Sequence, residues 1–205
     1  MSIFALSSGP GTSGVAVIRI SGPEASLVIK KLTGKKIPEP RVATLRKIHY
    51  INTSELIDEG LILWFPGPES YTGEDLAEIH VHGSKTVVDA IQLSISEIEN
   101  CRLAEPGEFT KIAFQNGKIN LLKAESIGDL IASETEIQRK QAVQIMNGKS
   151  SEKFNMLREK LLKILSHVEA KIDFPDEDLP SDILKGIKKS SDEVLIDLEK
   201  ILNDQ

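Results

Sequence analysis

Arg19, Glu78 and Lys118 are charged residues whose settings invite binding chemistry. Arg19 is the one charge in Val15-Ala16-Val17-Ile18-Arg19-Ile20, a run otherwise apolar and rich in β-branched residues. A buried charge without a partner is expensive. This guanidinium is therefore paired or solvated at a strand end, or it anchors a carboxylate or carbonyl of a ligand. Glu78, His80 and His82 recur at two-residue spacing in Leu76 to His82. If that segment is a strand, Ala77, Ile79 and Val81 face one way and Leu76, Glu78, His80 and His82 the other. Three readings of the second face stay open. It is a plain polar surface, it holds zinc or iron, or it meets an organic ligand. Side chains two apart on a strand start about 6.5–7 Å apart and diverge more readily than they converge, which weighs against metal. In the third case Glu78 would accept from adjacent N–H donors, such as the amidine-like edge of a pterin or guanine. Lys118 stands just beyond Asn116-Gly117, where a lysine also favours the negative end of a preceding helix. No nucleophile–base set stands out, and Cys101 has no evident partner.

Two glycine motifs fail on their context. Gly9, Gly11 and Gly14 spell G-x-G-x-x-G, but they open onto a strand-like run. A dinucleotide fingerprint must open a helix, whose N-terminus receives the pyrophosphate. Gly148-Lys149-Ser150 resembles the tail of a phosphate-binding loop, but the earlier glycine position holds Val143 and the residues before it are helical in pattern. The expectation is a helix break between Met146 and Phe154 and no nucleotide hydrolysis by this chain.

The elements that must position the charged residues follow from periodicity. Ile3 to Leu6, Val15 to Ile20, the stretches near Val42 to Ile51 and Gly60 to Phe65, and Leu76 to His82 read as strands, Val15 to Ile20 as a central one. Ala25, Val28, Ile29 and Leu32 recur at helical spacing between Pro23, placed for a first helical position, and Gly34, placed for a stop. Pro66-Gly67-Pro68 opens a loop that reaches Asp75. Ser84 can cap a helix with the buried stripe Val88, Ile91, Ile95 and Ile98. Pro106-Gly107 opens a shorter helix that Asn116-Gly117 closes.

Beyond Lys118 the strand signals stop. Leu121 to Met146, Phe154 to Ile172 and Ile183 to Leu202 are helical in pattern. Their stripes include Phe154, Leu157, Leu161, Leu165, Val168 and Ile172, then Val194, Leu198, Ile201 and Leu202. An acidic run with a proline, Asp173 to Asp178, interrupts them. The expected class is α+β: a mixed-sheet domain over 1–118, then a partial all-helical domain over 119–205 whose few helices need partners to bury their stripes.

The 205 residues allow one large or two small domains. A net charge of −6 gives no basic surface, so any nucleic-acid contact is local or made by another part of an assembly. One cysteine fits a reducing compartment. The start MSIFALSSGPGTSG has no signal-peptide pattern and no run approaches eighteen apolar residues, so the expected location is cytoplasmic, with no membrane.

Four blocks together resemble the MnmE (TrmE) family of tRNA-modifying GTPases. They are Ile3-Phe4-Ala5 through Arg19-Ile20-Ser21-Gly22; Leu63-Trp64-Phe65-Pro66-Gly67-Pro68 with Tyr71-Thr72-Gly73-Glu74-Asp75; Arg102-Leu103-Ala104-Glu105-Pro106-Gly107-Glu108-Phe109-Thr110; and Ile172-Asp173-Phe174-Pro175-Asp176-Glu177. The resemblance implies an N-terminal domain that binds 5-formyltetrahydrofolate and forms a homodimer with the folate near its interface. It implies a helical domain into which a GTPase domain is inserted, with GTP, magnesium and potassium bound only there. It also implies a flavoprotein partner, MnmG, with which the family modifies the wobble uridine of certain tRNAs.

The family's folate-binding positions fall on Arg19, Glu78 and Lys118. Glu78 would accept from the pterin's amino and ring N–H groups; Arg19 and Lys118 would meet carbonyl or carboxylate oxygens; His82 and the Gly9–Gly14 loop would shape the wall. The sequence stops about where the GTPase insertion would begin, so the expectation is a piece of a longer protein, with a naturally shortened relative as the alternative. A dimerisation module that has lost folate binding, and a metal-dependent enzyme using Glu78, His80 and His82, are the competing readings.

Overall fold

The computed structural model describes residues 1–9, 11–173 and 183–203. The chain divides into two compact units, Met1–Ala124 and Glu125–Gln205.

In the first unit, β1 (Ser2–Leu6), β2 (Ser13–Ser21), β3 (Thr44–His49), β4 (Leu56–Phe65), β5 (Leu76–Gly83) and β6 (Cys101–Leu103) form one sheet ordered β3-β4-β5-β2-β1-β6. Every pairing is antiparallel except β1 with β6, which makes the sheet mixed. The β2 strand lies inside the sheet between β5 and β1, as its apolar run predicts. Helices α1 (Ala25–Thr33) and α2 (Lys85–Ser96) pack on one face. That face carries the core: Phe4, Ile18, Ile20, Ile62 and Ile79 meet Val28, Ile29 and Leu32 of α1 and Ile91 and Ile95 of α2, all buried.

Local chemistry explains most of the boundaries. Gly34 ends α1 in the left-handed conformation, φ 62°, with its N–H on the Lys30 carbonyl. The start of α1 differs from expectation: it begins at Ala25, not Pro23, because the β1 residue Ser2 accepts from the Glu24 N–H at 2.8 Å and satisfies the helix entrance there. Ser84 caps α2 by accepting from the Val87 N–H at 3.2 Å. Gly60 lies inside β4 rather than at its start. A side chain there would run into the His80 carbonyl, so glycine lets the two strands lie close. The three-residue β6 has no period to read, and only its distant pairing with β1 makes it a strand.

The stretch Leu121 to Met146, helical in pattern, is helical but divides into two helices, α4 (Leu121–Ala132), which begins in the first unit, and α5 (Glu136–Met146) of the second. Thr135 stops the run with a capping box: it accepts from the Gln138 N–H, and the Gln138 side chain accepts from the Thr135 N–H. Asn147-Gly148 breaks the chain again, and α6 (Lys149–Asp173) resumes at once. The last helix, α7 (Ile183–Leu202), is tied to α6 by a Lys160–Asp197 ion pair of 2.7 Å. Leu157 and Val194 are buried, while Phe154, Leu161, Leu165, Ile172 and Leu202 stay exposed. Residues 174–178 of the acidic interruption, and Pro10 of the glycine loop, lie outside the described residues. Among the described residues no helix is long and apolar enough to cross a membrane.

Candidate functional site

The sheet face opposite α1 and α2 holds the residues with binding chemistry. Directly opposed residues of neighbouring strands share a face. Register sets Ala5, Arg19, Glu78 and Leu63 in one row across β1, β2, β5 and β4. The next row is Val17, His80 and Leu61. Arg19 and Glu78 are thus brought side by side from positions 59 residues apart.

Both the Nε and Nη2 of Arg19 donate to Oε1 of Glu78, at 3.0 and 2.8 Å. The other carboxylate oxygen, Oε2, lies 3.3 Å from Nε2 of His80. The side chains of Arg19 and Glu78 are 26% and 17% exposed, so the pair is sheltered yet partly accessible. Two aromatic rings flank the guanidinium: its carbon sits 5.3 Å from the Tyr71 ring centre and 5.7 Å from that of Phe109. Tyr71 belongs to the loop between β4 and β5, and Phe109 to α3 (Glu108–Gln115). Neither had been singled out from the sequence. An arginine inside an apolar strand was the available signal, since it needs company from whichever elements cross the sheet face.

His82 and Lys118 make no hydrogen bond or ion pair with the Arg19–Glu78 pair among the described residues. His82 turns to Asp58 of β4, its Nδ1 2.9 Å from Oδ1 and its backbone N–H donating to Oδ2 at 2.8 Å. Burial raises the Asp58 carboxyl, but the His82 backbone and ring contacts and the Glu59 N–H outweigh it and hold it below its ordinary value. Lys118 is exposed, with its backbone N–H on the Ala113 carbonyl beyond α3. Its aliphatic stem lies beside Gly73, and among the described residues its ammonium makes no ion pair. So Arg19, Glu78 and His80 form one cluster. Lys118 approaches the loop that carries Tyr71, and His82 stands apart with Asp58.

Among the described residues no group of three or more His, Cys, Asp and Glu side chains converges as a metal site would require. Cys101 of β6 is partly buried, and burial, with the nearby Glu24 adding to it, pushes its thiol up, opposite to what a nucleophile at neutral pH needs.

Comparison with known proteins assigns both units. Residues 2–118 match the model of the GTP-binding protein TrmE N-terminus, and residues 121–205 match the MnmE helical domain. The chain belongs to the MnmE (TrmE) family. It is 74% identical over all of its 205 residues to the tRNA modification GTPase MnmE of Pelagibacter ubique, 46% of whose length it covers. The tRNA modification GTPase MnmE of Rickettsia prowazekii is 46% identical over 98% of this chain and 45% of its own. A mitochondrial 5-taurinomethyluridine-[tRNA] synthase subunit from Danio rerio is 43% identical over 99% of this chain and 41% of its own. The chain therefore spans less than half the length of the curated relatives it matches. This is the N-terminal part of an MnmE-type protein, with its sheet unit and its helical segment.

The chemistry of the donor set narrows what the cluster could hold. A carboxylate acceptor beside a guanidinium donor, between aromatic rings, suits an aminopyrimidinone edge with N–H groups next to a carbonyl. Arg19 Nη1 makes no hydrogen bond to Glu78 among the described residues, and Oε2 lies 3.3 Å from His80 Nε2. Oε1 already accepts twice from Arg19, so a ligand that uses both carboxylate oxygens must share that atom with the arginine.

Proposed function

We propose that this chain binds a reduced folate, 5-formyltetrahydrofolate or a close relative, on the open face of its sheet. Arg19, Glu78 and Lys118 carry the contacts. Glu78 accepts from the pterin's amino and ring N–H groups, and Arg19 and Lys118 meet oxygens of the ligand. The observation that carries this reading is the sheltered Arg19–Glu78 pair, in which Arg19 Nη1 and Glu78 Oε2 are not used between the two side chains.

Residues 1–118 form the folate-binding and dimerisation module, and 119–205 the first part of the helical domain. Leu45 and Leu61, paired across β3 and β4 on the open face, are exposed, as is Val15 of β2. An apolar patch of this kind suits a second copy of the chain. In the whole protein the module contributes the one-carbon carrier site for wobble-uridine modification of tRNA in the cytoplasm. GTP hydrolysis, potassium binding and contact with the flavoprotein MnmG belong to that larger assembly.

Calorimetric titration with 5-formyltetrahydrofolate tests the proposal. Saturable heat that Glu78→Gln weakens is the expected result. No heat from a protein shown to be dimeric would leave a pure interaction module as the better account.

A further inference from the structure

We infer that the Ser70–Asp75 strap holds the two cations of the site in place, with Tyr71 and Gly73 as positioning residues for Arg19 and Lys118. Three consecutive residues of this strap reach β2, α3 and the segment just beyond α3. The ring of Tyr71 lies 5.3 Å from the guanidinium carbon of Arg19, and its hydroxyl shares a 2.9 Å hydrogen bond with Oγ1 of Thr110 in α3. Thr72 is fully buried; its hydroxyl meets that of Ser21 at 2.7 Å, and its carbonyl accepts from Nδ2 of Asn116 at 2.8 Å. Gly73 has φ +80°, which favours glycine, and a Cβ built on it would lie 3.3 Å from Cβ of Asn116 and from Cγ and Cδ of Lys118, so a side chain there would crowd the lysine stem.

The strap is anchored at its other side as well. Ser21 donates to Oε2 of Glu74 at 2.9 Å, and the Gly22 N–H to the Asp75 carbonyl at 2.9 Å. Ser21 is two residues from Arg19 on the same strand. A single segment therefore spans from the β2 strand that bears Arg19 to the helix end that bears Lys118. Holding both side chains before a ligand arrives lowers the conformational entropy lost on binding. Tyr71 acts on Arg19 through its ring and on α3 through its hydroxyl, and Gly73 acts on Lys118 by leaving room.

The identity of the ligand rests on the folate reading, whereas the positioning does not, and one experiment on the full chain separates them. Thr110→Val removes the hydroxyl partner of Tyr71 without touching Arg19 or Lys118. The Arg19 Nε–H resonance is followed by NMR without ligand, and affinity for 5-formyltetrahydrofolate by calorimetry. The expected result is a moved Arg19 resonance and an affinity loss of about fivefold, the scale of one neutral hydrogen bond, with both restored by Thr110→Ser. In parallel, Gly73→Ala is expected to move the NMR signal of reductively methylated Lys118. An unmoved Arg19 resonance in folded Thr110→Val overturns the proposal, whatever the affinity does. A moved resonance in a protein that binds no folate leaves the strap standing and removes the ligand assignment. If Gly73→Ala fails to fold, Thr110→Val alone decides.

Discussion

The sheet unit and the helical unit solve burial differently. In the first, two helices cover one sheet face and leave Ile18, Ile20, Ile62, Ile79, Ile91 and Ile95 with no measurable exposure. In the second, α6 is 25 residues long, yet Leu157 is its one fully sequestered leucine among the described residues, and Leu161 and Leu165 remain half exposed. A closed core can stabilise itself and spend its opposite face on chemistry. Isolated amphipathic helices gain most of their stability from packing, which here is only partly supplied. The candidate site sits on the unit that can hold a charged pair in fixed geometry.

The contrast is broken most directly by cutting side chains on each side. Ile79→Ala, at a fully buried position, is expected to cost about 3 kcal/mol in the transition of the sheet unit. Leu161→Ala, at a half-exposed one, should cost less than about 1 kcal/mol in the transition of the helical unit. Urea denaturation, followed by Trp64 fluorescence for the first and by helix ellipticity for the second, checks the pair. Equal costs would mean that α6 is packed far better than its exposure indicates.

Ligand binding gives the next effect. Glu78→Gln presents an amide donor to ligand donors and strands Arg19, a mismatch worth about 1–3 kcal/mol. Lys118→Ala removes an exposed ammonium that makes no ion pair among the described residues, so its loss should be smaller when both are titrated with 5-formyltetrahydrofolate. Equal or reversed losses would show that the pterin is held differently.

Within the helical unit, Thr135→Ala removes the capping box and should lower stability by about 1 kcal/mol, read as a fall in the midpoint of helix melting. An unchanged midpoint would show that packing, not the cap, places the α4–α5 break.

The smallest effect is one of pH. The Asp58 carboxyl lies below its ordinary value when folded. Its contribution is complete above the unfolded aspartate range and is lost as pH falls through the folded value. Asp58→Asn should flatten that acid limb in denaturation curves taken from pH 6 down to pH 3. A limb of unchanged slope would assign the acid sensitivity to other carboxylates.

Much of the fold was legible because periodicity records burial. Alternation in Leu76 to His82 announced β5, the Val88–Ile98 stripe announced α2, and Gly34 announced the end of α1. Three features were not legible. The β6 strand has no pattern of its own, and the late start of α1 depends on Ser2 from another element. The α4–α5 break rests on a single threonine and glutamine within a run whose apolar spacing continues.

The sequence by itself determined which side chains carry charge, which faces are apolar, where Gly34 stops a helix, and the family to which the chain belongs. Only the tertiary structure decided that Arg19 pairs with Glu78, that His82 leaves them for Asp58, and that Tyr71 and Phe109 enclose the guanidinium. The reason is physical. Local pattern fixes the direction of a side chain relative to its own strand, but what it meets depends on strand order and register. Those are set by the collective burial of residues far apart in the chain.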